Sequence, residues 1–151
     1  MKPLSKILSV NLIFFIAMAY IESAIVVYLR EIYYPHGFNF PIKLIQNHIA
    51  FIEIGREVST IVILWFSTML VYGKFKERFA LFLFNFGVWD IFYYVWLRIF
   101  LDWPSGWFEW DILFLIPLPW TSPWPAPVLV SIGFIITAYL VLKHPQKFAP
   151  K

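Results

Sequence analysis

Four acids and one arginine stand inside stretches that are otherwise apolar: Glu22, Glu53, Glu57, Asp90 and Arg56. Carboxylates held away from water do two kinds of chemistry. Their oxygens ligate hard cations such as Mg, Ca, Mn or Fe, or they bind and pass protons as burial and neighbouring charges tune them. His48 offers an imidazole, although its place five residues before Glu53 turns it about 140° around a helix, off the acidic stripe. The candidate cation ligands are therefore Glu22, Glu53, Glu57, Asp90 and His48, with Arg56, Tyr94, Arg98 and Asp111 in support. The implied cofactor is a divalent metal with oxygen ligands, unless protons take its place.

Long apolar runs must position these groups. With 61% of its 151 residues hydrophobic and 14% charged, the chain lies far from the soluble norm of about a quarter charged. It has room for about four spans of about 20 residues and almost nothing outside a bilayer. We expect a single all-α integral membrane domain over residues 1–151, a four-helix bundle with spans near 7–29, 42–72, 79–101 and 124–142. The first run continues past Glu22 to Leu29 without an A-x-A-like site, which argues for a span rather than a signal peptide. Tyr33 to Gly37 reads as a turn, and Pro41 suits the first turn of the second helix.

At about 1.5 Å per residue, Glu22, Glu53 and Asp90 all fall roughly 10 to 17 Å below the same end of the bundle, with Glu57 one turn deeper. Glu53, Glu57, Thr60, Leu64 and Ser67 form one helical stripe, as do Asp90, Tyr94 and Arg98, so each helix presents one polar face inward. Gly55 and Gly87, close to the acids, are candidates for close helix approach.

The third connection differs from the others. Residues 103–127 hold five of the eight tryptophans and six of the eleven prolines. Within them, Asp111 to Leu118 is apolar but too short to span, so it should lie at the interface or re-enter partway. It could carry Asp111 down toward Asp90. Basic residues set the orientation: Lys2, Lys6, Lys74, Lys76, Arg78, Lys143, Lys147 and Lys151 fall on one side, and Arg30, Lys43 and Arg98 on the other. Both termini are then cytoplasmic.

Insertion scales charge about 2.5 to 3.5 kcal/mol per buried charge, so five such groups amount to roughly 15 kcal/mol before pairing. Four acids against Arg56 and Arg98 leave a deficit of two positive charges, to be met by protons or a bound cation. The leading expectation is thus a small membrane protein binding a metal or protons in the outer half of the bilayer, alone or within a respiratory or transport assembly. Two alternatives stand beside it: a structural or assembly subunit whose polar core pairs with itself, and an enzyme acting on a lipid or quinone, which would need an apolar groove beside the acids. No nucleophile with its base, phosphate-binding glycine loop or zinc-protease helix is present, so the catalytic case is weak. The absence of cysteine excludes disulfides, thiolate metal sites and covalent c-type haem. The expected surroundings are the lipid bilayer and partner membrane subunits or further copies of the chain; nucleic acid is not expected, because the basic residues sit in short juxtamembrane clusters.

The phrases from Phe86 to Tyr94 and from Trp110 to Pro117, with Gly55-Arg56-Glu57 before them, resemble a group of small bacterial four-span membrane proteins with no known activity. The resemblance implies a bacterial source, and with it the inner membrane. It implies no mechanism.

Overall fold

The computed structural model describes residues 3–33, 47–72, 74–116 and 119–144. Of the expected turn from Tyr33 to Gly37, Tyr33 is the last residue of the first helix, and the rest of the turn and the beginning of the second span, including Pro41, lie outside the described residues. Four helices carry most of the described chain: α1 (Leu4–Tyr33), α2 (Asn47–Met69), α3 (Phe75–Leu101) and α4 (Pro125–Lys143). Three of them, α1, α3 and α4, are long and apolar enough to cross a membrane. The 23 residues of α2 match that length, but Glu53, Arg56 and Glu57 lower its apolar character.

The helix ends follow local chemistry. α4 opens at Pro125, where a missing N–H and a preset φ cost nothing. α3 ends at Asp102, which adopts a left-handed conformation with φ 56° and donates its N–H to the Arg98 carbonyl. Asp tolerates that region because its short side chain can bond locally.

α3 is the central helix and packs against each of the other three. Ser23 Oγ donates to the Tyr93 carbonyl at 3.1 Å and Trp96 Nε1 to the Ile16 carbonyl at 3.1 Å, which places α1 and α3 side by side, and Arg30 near the end of α1 lies over Trp103 just past the end of α3, which makes them parallel. On α4, Ile135 lies at Gly87, Ser131 at Asp90 and Trp124 at Tyr94, and on α2 Ser67 meets Asn85, Trp65 packs on Phe75 and Glu57 lies beside Phe86, so α2 and α4 run the opposite way. Lys6 and Tyr72 share one end of the bundle, Arg30 and Trp103 the other. Phe15, Leu64, Leu81 and Leu97 fill the interior. At Gly87 a Cβ would sit 2.6 Å from the Ser131 carbonyl oxygen and 2.8 Å from Ile135, so glycine is what lets α4 approach α3. Gly55 has no such role, since nothing lies within 4 Å of its hypothetical Cβ.

The Trp/Pro-rich connection departs from the all-α expectation. It forms a β-hairpin, β1 (Trp110–Phe114) against β2 (Trp120–Pro123), antiparallel, pairing Asp111 with Ser122 and Phe114 with Trp120 across a register shift. The physical reason is visible afterwards. The segment is too short for a spanning helix and bounded by prolines, and its aromatic and branched side chains suit a pleated surface. The strand period of two leaves Trp110 exposed and turns Asp111 inward. Trp124 closes the base of the hairpin, its backbone N–H donating to the Glu109 carbonyl and its indole to the Gly106 carbonyl.

Candidate functional site

At the hairpin end of the bundle five carboxyl groups meet: Glu22 from α1, Glu53 and Glu57 from α2, Asp90 from α3 and Asp111 from β1. None is more than 8% exposed. Helices at these crossing points bring residues of one depth together, and the hairpin folds back over them. Burial on this scale requires partners for every charge; Glu22 and Glu53 share Arg56, and the other three acids each have their own.

Arg56 is the fastener between α1 and α2. Its Nη1 bonds Glu22 Oε2, while Nε and Nη2 both reach Glu53 Oε2 at 2.8 Å. The other oxygen of Glu22 accepts the Thr60 hydroxyl. One turn along α2, Glu57 turns to the hairpin, where both its oxygens lie 2.9 Å from the backbone nitrogen of Leu115. Asp90 accepts the Ser131 hydroxyl at 2.8 Å across the α3–α4 contact. Asp111 pairs with Arg30 at 3.4 Å, and the Arg30 guanidinium lies 4.0 Å over the Trp103 ring. Burial pushes the Asp111 carboxyl above the usual aspartate range, against the pull of Arg30.

Between these groups lies a cavity of about 70 Å³ walled by Glu22, Arg56, Glu57, Asp90, Asp111 and the aromatic rings of Trp89, Tyr93 and Tyr94. Its size suits a few water molecules or a small cation. It is far too small for a lipid or a quinone. Trp89 Nε1, buried in the wall, has no hydrogen-bond partner among the described residues. Phe114 covers the cavity from the hairpin and packs on Phe86 and Trp89.

The expected residues therefore divide. Glu22, Glu53, Glu57, Asp90 and Arg56 come together, and Tyr94 and Asp111 join them, facing one another. Glu53 stands behind Arg56, off the cavity wall. His48 lies exposed in the first turn of α2, and Arg98 turns outward to Asp102 and to the Pro104 carbonyl. Thr60, expected on the inward stripe of the second span, bonds Glu22, while Arg30, Ser131 and the Leu115 amide are members that the sequence reading does not include. Among the described residues no three histidine, aspartate or glutamate side chains converge as metal ligands would. Arg56 occupies the place between Glu22 and Glu53 where a shared cation would have to sit. No known protein family, curated protein or solved structure matches this chain.

Proposed function

We propose that this is a four-span protein of a bacterial inner membrane, both termini cytoplasmic, whose acidic cavity binds a cation, and that the cation is the proton. The charge count supports the reading. Glu22, Glu53, Glu57, Asp90 and Asp111 against Arg30 and Arg56 give −5 + 2 = −3 with every acid ionised. A net charge of that size away from water is not sustained without protons or a bound cation. The single observation that carries the choice of protons is that Glu57 and Asp90 face the cavity and are met by an amide and a hydroxyl rather than by a guanidinium. Several carboxyls around a few waters can share protons, whereas a divalent metal needs ligands that converge on one point. The reading of α2 as the fourth span is supported by where its charges go, into the bundle toward Glu22 and the hairpin.

The remainder of the network has the character of a structural pairing. Arg56 with Glu22 and Glu53 ties α1 to α2 and fixes their register, which is the self-paired core of the alternative reading. A proton site of this kind fits a subunit of a respiratory or transport assembly, and partner subunits should then copurify in mild detergent.

Infrared spectroscopy of the purified protein tests the proposal. A protonated-carboxyl band should be present near neutral pH and should shrink in Asp90→Asn or Glu57→Gln. Absence of the band, or its survival in both variants, overturns the proton assignment. A stoichiometric divalent metal lost in Glu57→Gln would replace protons with a metal centre.

A further inference from the structure

α1 and α2 both pack on α3 and scarcely touch one another. At the hairpin end the long side chains of Arg56 and Glu22 bridge the gap between them. At the opposite end the gap is a cleft of about 290 Å³ between the start of α1 and the residues that end α2. Val10 and Leu70, both well exposed, give it an apolar flank, whereas Lys6 is its one charged residue and Asn11 and Tyr72 are its polar ones. Arg78 stands at the rim, its Nε donating to the Tyr72 carbonyl at 2.7 Å. The cleft is therefore apolar along the helices and basic at the end of the bundle.

We infer that this cleft binds an anionic phospholipid, its phosphodiester against the Lys6 ammonium and one acyl chain lying along Val10 and Leu70. Charge selects the head. Among the described residues, Lys6, Lys74, Lys76, Arg78 and Lys143 stand at this end of the bundle against Glu77 alone, which gives +5 − 1 = +4. Such a field favours a lipid of net negative charge over a zwitterionic one. These cations keep their charge whether or not the far acids are protonated, and about 24 Å of helix separates Lys6 from Glu22. The exposed flank selects a lipid over a soluble phosphate. In the four-span reading Val10 and Leu70 face the bilayer, so an occupant arrives from the side with an apolar chain attached. A lysine whose stem follows that flank while its head stays at the aqueous boundary has the snorkelling arrangement of interfacial cations. An uncharged apolar chain would gain nothing from Lys6 or Arg78. The inference rests on the reading of α1 and α2 as spans and is independent of what occupies the acidic cavity.

The test uses the full chain in detergent, titrated with phosphatidylglycerol and separately with phosphatidylcholine of the same acyl chains, with bound lipid counted by native mass spectrometry. The expected result is saturation at one phosphatidylglycerol per chain, at an affinity about fivefold or more above that of phosphatidylcholine. Lys6→Gln should weaken phosphatidylglycerol by about fivefold, the effect of one cation near an anionic headgroup, and leave phosphatidylcholine as it was. Lys143→Gln removes a charge from the same end of the bundle but from α4, where the ammonium lies 5.3 Å from the Tyr139 ring, and should change neither. Val10→Trp, which fills the cleft, should weaken both lipids. Equal affinity for the two lipids overturns the inference, because the cleft then reads only the chain. Equal losses in Lys6→Gln and Lys143→Gln overturn it too, as the mark of a diffuse field rather than a site. Displacement of phosphatidylglycerol by an equal concentration of glycerol phosphate makes this a soluble-phosphate site and overturns the lipid assignment. The infrared band of the acidic cavity, read on the Lys6→Gln sample, should not move, so the two proposals fail separately.

Discussion

Replacing Arg56 by leucine should be the most damaging single change in the helical interior, and the reason is the company it keeps. Its side chain is 21% exposed, and the two carboxylates it bonds are 7% exposed each. At 2.8 Å from Glu53 the pair attraction is about 6 kcal/mol at an effective dielectric constant of about 20, of which desolvation of the pair cancels a large part. Removing one partner of a buried pair nevertheless costs about 3–5 kcal/mol, because the remaining charges stay buried and uncompensated. For a chain of this length that corresponds to a fall in Tm of about 6–20 °C. Tryptophan-fluorescence melting in detergent reads it directly. The diagnostic arm is compensation: Glu22→Gln and Glu53→Gln, added to Arg56→Leu, remove the stranded charges and should recover most of the loss. If Arg56→Leu melts like the parent, or if the triple variant melts no higher than the single one, then Arg56 does not neutralise these acids and the fastener argument fails.

Two further outcomes follow from the same geometry. Gly87→Ala should destabilise by about 1–3 kcal/mol by forcing α4 off α3, while Gly55→Ala, which meets nothing within 4 Å, should be neutral or gain about 0.5–1 kcal/mol from helix propensity; melting curves of the two variants check the contrast. Because burial raises the Asp111 carboxyl in the folded protein, the folded state binds its proton more tightly than the unfolded chain does. Its contribution to stability therefore grows as pH falls from the raised value toward the ordinary aspartate value of about 3.9, and is lost as pH rises through that window. Asp111→Asn should flatten that part of a melting-versus-pH profile.

The meeting of Glu22, Glu53 and Asp90 is legible in the sequence because helix rise and an up-down order of spans fix depth without any knowledge of side-chain contacts. Arg30 escapes the same logic. With α1 expected to end at Leu29, Arg30 reads as an interfacial flank, whereas the helix runs on to Tyr33 and its partner is 81 residues away. Ser131 is one of three hydroxyl side chains on the otherwise apolar α4, with nothing local to pair it with Asp90. The Leu115 amide is a backbone donor, invisible to any reading of side-chain types. The hairpin is the largest difference: prolines and a short apolar run exclude a helix, but strand pairing is a relation between two segments that neither announces alone.

The charges on α2 also bear on how the bundle assembles. Ten of its residues are Leu, Ile, Val or Phe, contributing about −0.3 to −0.6 kcal/mol each on insertion scales, or roughly −3 to −6 kcal/mol together. Glu53, Arg56 and Glu57, at about 2.5 to 3.5 kcal/mol each, oppose this with roughly 8 to 10 kcal/mol. In the four-span reading these figures leave α2, on its own, out of the membrane. It becomes favourable only when Glu22 on α1 is already there to complete the Arg56 pairing, so α1 should act as the template for α2. In the four-span reading Lys74 is cytoplasmic if α2 crosses and external if it does not. A cysteine placed there by Lys74→Cys is the only thiol in the chain, which has no native cysteine, so labelling is unambiguous. In right-side-out vesicles that cysteine should resist an impermeant maleimide, and adding Glu22→Leu should expose it in a substantial fraction of molecules. Equal protection with and without Glu22 would mean that α2 inserts on its own apolar surface, and that the carboxylate–guanidinium pairing forms only after the helices are in place.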